Sequence, residues 1–143
     1  ARWPDLPPTG KIASNGKTLE SLPERVVYQI LESLKHEDMA IDLHQPIMAD
    51  LGAEKADLTL RRRSAACFIE VIGSCGPNRI TRNEHELRGL ERFARREAFY
   101  RRVGITPVCI FLDLLARPED LKALCQSLVD RIADDGRDRE VSL

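Results

Sequence analysis

No stretch of this 143-residue chain is long or apolar enough to cross a bilayer, and the opening ARWPDLPPTG lacks the layout of a signal peptide. The expectation is a soluble chain without a membrane partner. Cysteine is sparse: Cys67, Cys75, Cys109 and Cys125 show no C-x-x-C spacing, and three of them fall in apolar runs. That argues against a zinc site or a disulfide framework and fits a reducing, cytoplasmic setting. His36, His44 and His85 have no mutual metal-ligand spacing and read as surface residues. Trp3 and Phe99 make no base-stacking platform, and there is no internal repeat. The string SNGKT lacks both the glycine spacing and the preceding strand of a phosphate loop. A net charge of −1 predicts no bulk attraction to polyanions.

What is present is an ordinary globular composition, 43% hydrophobic and 31% charged, on a chain long enough to bury a real core. Residues 1–18, rich in Pro, Gly, Ser and Lys, read as a linker or arm, 19–134 as the domain, and 135–143 as a charged tail. The start at Ala1 suggests a domain of a longer protein, and a homodimer is the alternative assembly.

Ser21-x-x-Glu24 is a capping box with a proline in the first turn, and Val27, Ile30, Leu31 and Leu34 continue it as a helical stripe. Met39, Ile41 and Leu43 alternate with polar residues as a first strand. The stretch from Ala56 to Gly73 predicts a hairpin, Ala56 to Leu60 and Ala65 to Ile72, joined by a basic turn from Arg61 to Ser64. Thr81-x-x-Glu84 is a second capping box. The helix it introduces runs from about Asn83 to Val103, with Leu87, Leu90, Phe93, Ala94, Ala98 and Tyr100 or Val103 inward and its arginines elsewhere. Val108 to Leu115 reads as a strand covered on both faces, and Pro118 opens a last helix with Leu121, Leu124, Leu128 and Ile132 as its stripe. The prediction is an α/β fold with one small mixed sheet.

Two acids interrupt the apolar hairpin. By strand alternation Asp57 and Glu70 share a face of neighbouring strands. A carboxylate inside FIEVI is costly unless paired, and a divalent cation between two carboxylates would offset that cost. The alternative is a pair balanced by Arg61 or another arginine. Glu24 stands one turn before Tyr28 and either caps its helix or leans toward the sheet.

Taken together, Ser21-x-x-Glu24 on a helix, Ala56-Asp57 at a second strand and Glu70-Val71-Ile72 on a third resemble the PD-(D/E)xK superfamily of restriction-endonuclease-like nucleases, over residues 21–133. The resemblance implies an αβββαβ(α) core and a divalent-metal-dependent DNA endonuclease. It also implies Mg²⁺ or Mn²⁺ as cofactor, held by Asp57, Glu70, the Val71 carbonyl and Glu24. Ile72 stands where the family has its lysine, and Lys55, Arg88, Arg92 or Arg95 could supply the missing cation. Arginine stays protonated, so it could orient a phosphate but not act as a base. Arg61, Arg62, Arg63, Arg88, Arg92 and Arg95 have the charge to track a DNA backbone, or else form a solvated face diluted by glutamates. The second functional reading is a nuclease-fold module that has lost catalysis and binds DNA or a partner protein.

Overall fold

A computed structural model describes residues 10–48 and 54–141, with side chains described through residue 135. The expectations for the first nine residues of the arm, Trp3 included, and for the extreme end of the tail lie outside the described residues.

Helix α1 (Leu22–Leu34) begins where the capping box predicts, with the Ser21 hydroxyl accepting from the Glu24 amide at 3.2 Å. Its apolar stripe delivers Val27 and Leu31, both fully buried. Residues of the predicted arm pack onto this helix: Asn15 donates to the Tyr28 hydroxyl at 2.8 Å, and Ala13 is buried, as is Leu19 just beyond the arm.

The sheet has four strands, β1 (Ala40–Leu43), β2 (Leu58–Arg62), β3 (Ala65–Ile72) and β4 (Val108–Phe111), hydrogen-bonded in that order. The first three form an antiparallel meander, and β4 joins β3 in parallel. A parallel neighbour requires a crossover, which helix α2 (Glu84–Val103) provides. The chain is thus an α/β domain with a small mixed sheet between helices.

Three elements differ in their bounds from the sequence expectation. β2 begins at Leu58 rather than Ala56, and Arg61 and Arg62 belong to it rather than to the turn, which is only Arg63-Ser64, with Arg63 at φ +56°. The cap of α2 is Asn83, not Thr81: its side chain accepts from the Glu86 amide at 2.9 Å, and Glu86 accepts in return from the Arg82 amide at 2.7 Å. Finally, β4 ends at Phe111, because the Leu112 amide turns to the Cys75 carbonyl and the chain coils into the short helix α3 (Leu112–Leu115). As the last strand of the sheet, β4 buries fully only Ile110 rather than both of its faces.

Helix α4 (Pro118–Val141) packs beside α1 on one face of the sheet, and Leu121, Cys125, Leu128, Val129 and Ile132 join Leu58, Leu60 and Ile69 in the main core. Its backbone stays helical through the start of the predicted tail. Helix α2 packs on β3 through Phe93, Phe99 and Tyr100, whereas Leu87 is 45% exposed and Ala94 and Ala98 are also exposed, contrary to the predicted stripe. Gly104 ends α2 in the left-handed region at φ +76°, as glycine permits. All four cysteines are free; Cys67, Cys75 and Cys125 are buried. Among the described residues no helix is long and apolar enough to cross a membrane.

Candidate functional site

Strand alternation divides β3 between two layers. Cys67 and Ile69 face the main core, while Phe68, Glu70 and Ile72 face α2. Residues 93, 96 and 100 recur on one face of α2, so the two elements meet as three rungs. Phe68 meets Tyr100 with the rings tilted at 59° and their centroids 6.2 Å apart, Glu70 meets Arg96, and Ile72 shares an apolar cluster with Phe93.

The middle rung carries the acid pair. Asp57 lies one residue before β2, and the β2–β3 register, continued by one position from Leu58↔Ile69, sets it opposite Glu70. The two carboxylates converge as the sequence predicts, and they converge on a guanidinium. Arg96 Nη1 donates to Asp57 Oδ1 at 2.9 Å and to Glu70 Oε1 at 2.7 Å. The Tyr100 hydroxyl donates to Glu70 Oε2 at 2.7 Å, the Asp57 amide donates to the same oxygen at 3.3 Å, and the Val71 amide donates to Asp57 Oδ2 at 2.9 Å. Every carboxylate oxygen of the pair therefore has a donor. Glu54 stands 3.6 Å from Arg96 Nε as a further counter-charge.

Glu70 is only 1% exposed, and burial, reinforced by the Asp57 charge, pushes its carboxyl up to about 7 against the opposing pull of Arg96 and Tyr100. The same partners hold Arg96 above its usual range despite its burial, so it stays a cation at any working pH.

Glu24 does both things its position allows: its Oε1 reaches back to accept from the Glu20 amide at 3.4 Å, as a cap, and it also meets His44 beyond its own helix. It lies 2.9 Å from His44 Nε2 and is 6% exposed, and burial followed by the Asp57 charge raises its pKa. Glu20 approaches the same ring nitrogen at 3.5 Å. One ligand atom from each of Glu20, Glu24 and His44 lies within 4.8 Å of the others, a set of oxygen and imidazole donors suited to a divalent ion.

Of these groups, Glu20, Glu24, Asp57, Glu70 and Arg96 border one cleft of about 420 Å³. One wall is the start of α1, with Glu20, Ser21, Pro23 and Glu24; the floor is Asp57 and β3 from Glu70 into Gly73 and Ser74; the other wall is α2, with His85, Glu86, Gly89, Arg92, Phe93 and Arg96. Both walls are close to the floor: a Cβ on Gly73 would come within 3.1 Å of Pro23, and one on Gly89 within 3.1 Å of Ser74. Glycine at both positions keeps the cleft narrow.

Of the remaining predicted residues, Arg92 and Val71 border the cleft and the others fall elsewhere. Lys55 is exposed in an isolated bridge with Pro46 and does not border the cleft. Arg61 pairs with Asp42 at 2.8 Å, Arg62 with Asp38 at 2.6 Å, and Arg88 with Glu84 at 3.1 Å. Arg63 sits in the hairpin turn. Arg92 and Arg95 are exposed and, among the described residues, paired with no acid; of the two only Arg92 borders the cleft. Val71 borders the cleft, and its amide is the group that meets Asp57.

Sequence reasoning missed Arg96, Glu20 and His44. Arg96 was recoverable, because it stands three residues after Phe93 and four before Tyr100 and so shares their inward face. His44 was not, since its approach to Glu24 depends on a left-handed backbone at φ +51°. No family model, curated protein or solved structure matches this chain, and its functional reading therefore rests on the cleft.

Proposed function

We propose that this chain is a divalent-metal-dependent DNA endonuclease domain, a divergent relative of the PD-(D/E)xK nucleases. The observation that supports this most is the convergence of Glu24, Asp57 and Glu70, from three separate elements, on a single cleft whose opposite wall carries Arg92 and Arg96. Buried carboxylates repel one another, and here three of them share one guanidinium and one imidazole. That excess of negative charge favours the entry of a cation, and the Glu20, Glu24 and His44 donors fit Mg²⁺ or Mn²⁺. A bound divalent ion would stabilise charge on the scissile phosphate and lower the pKa of an attacking water.

The chain's own residues supply the rest. Glu24, held by His44, and the Asp57–Glu70 pair provide oxygen donors; Tyr100 and the Val71 amide fix the orientation of that pair. Arg92, exposed on the α2 wall, offers a phosphate two parallel donors. Ile72, buried against Phe93, contributes no cation at the family's lysine position, so water activation falls mainly to the metal.

One observation favours a second reading. Arg96 Nη1 already stands between the two carboxylates where the ion of an active nuclease would be needed. A chain locked in that state would be a catalytically inactive nuclease-fold module that binds DNA or a partner protein. Nicking of supercoiled plasmid in Mg²⁺ or Mn²⁺, abolished by both Asp57→Asn and Glu70→Gln, is expected of the enzyme. Salt-sensitive DNA binding without nicking supports the second reading, and absence of both activities removes DNA as the partner.

A further inference from the structure

The grip of Arg96 on the acid pair is lopsided. A guanidinium satisfies a carboxylate best through two parallel N–H donors, yet here one nitrogen, Nη1, serves both Asp57 Oδ1 and Glu70 Oε1. Among the described residues its buried Nε has no hydrogen-bond partner, and Glu54 stays 3.6 Å away. A buried donor without a partner costs free energy and calls for an explanation. The side chain also borders the cleft of about 420 Å³, so it has an adjoining space to enter without disturbing the core. A further clue lies on β3. Ile72, one rung away, is engaged with Phe93 in an apolar cluster, so no cation reaches the acids from that strand.

We infer that Arg96 is the positioning cation of this site: it holds Asp57 and Glu70 together from α2 and competes with a divalent ion for Asp57 Oδ1 and Glu70 Oε1. The inference rests on the metal-dependent reading above. Nη1 lies 2.9 and 2.7 Å from those two oxygens, hence a cation coordinated by both must displace it. Once displaced, the guanidinium turns into the cleft beside Arg92, where its free fork meets a phosphate. Arg96 thus brings from α2, one rung along, the positive charge that Ile72 does not supply from β3.

Calorimetric titration of the whole chain with Mn²⁺ tests this. Removing the competitor in Arg96→Gln should tighten Mn²⁺ binding by about tenfold or more, and Arg96→Lys should restore the weaker binding of the unsubstituted chain. Adding Glu70→Gln to Arg96→Gln should abolish the gain. Equal Mn²⁺ affinity in the unsubstituted and Arg96→Gln chains, or no binding in either at millimolar Mn²⁺, overturns the inference. Should Arg96→Gln fail to fold, the unsubstituted chain decides through the nuclear magnetic resonance signal of the Arg96 Nε–H, identified by its loss in Arg96→Lys. Movement of that signal on adding Mg²⁺ supports displacement; a signal unmoved by saturating Mg²⁺ overturns it. Plasmid nicking in the same samples separates the two proposals. Tighter Mn²⁺ binding by Arg96→Gln with no nicking in any chain retains the role of Arg96 and removes the nuclease, and nicking without any change in Mn²⁺ affinity does the reverse.

Discussion

At the scale of single residues, Glu70 links the site to stability. Its folded-state pKa of about 7 lies above the ordinary carboxyl value of 4.5, so between those limits the folded chain binds more protons than the unfolded chain. Stability contributed by the protonated carboxyl is complete below the lower limit and is lost as pH rises through the upper one. Glu24, raised in the same direction by burial and by Asp57, adds to the slope. Urea unfolding in a metal chelator should therefore show the chain losing up to about 3 kcal/mol between about pH 5 and pH 8. Glu70→Gln should flatten most of that loss. An identical slope in the two chains would mean that Glu70 is ionised throughout, held so by Arg96.

Among the elements, α2 shows how a capping box can be misplaced by two residues without misplacing its helix. Thr81-x-x-Glu84 and Asn83-x-x-Glu86 both fit the pattern, and the structure uses the second. Asn83→Ala should cost about 1 kcal/mol in chemical denaturation, and Thr81→Ala should cost close to nothing. The α1 box, the alternation of β3 and the extent of α2 were legible, because local periodicity and capping chemistry decide them. The end of β4 was not. Val108 to Leu115 is apolar whether it forms a strand or a helix, and the turn at Leu112 depends on a carbonyl from Cys75, distant in sequence. Much the same holds for the site. The opposition of Asp57 to Glu70 followed from strand alternation, whereas the identity of their counter-ion required knowing which arginine of α2 faces inward.

For the whole molecule, a net charge of −1 hides an uneven distribution. Three of the six predicted DNA-tracking arginines are tied to acids: Arg61 to Asp42, Arg62 to Asp38, and Arg88 to Glu84. Arg92 and Arg95, with Arg102 over the Phe99 ring, carry exposed positive charge of α2 that no described acid offsets. If DNA is the partner, its binding should weaken with salt at a logarithmic slope of about −0.9 per phosphate contacted. Filter-binding or fluorescence titrations should find that Arg92→Ala and Arg95→Ala each reduce the slope by about 1, and that Arg88→Ala, already paired with Glu84, reduces it by less. The stacked rungs of β3 and α2 add a constraint of another kind. Phe93, Arg96 and Tyr100 follow one another along a single helical stripe, so the same few turns both seal the apolar interior and position the charged groups. A substitution at any of the three is therefore felt in two ways at once, in the packing of the interior and in the charge balance of the acid pair.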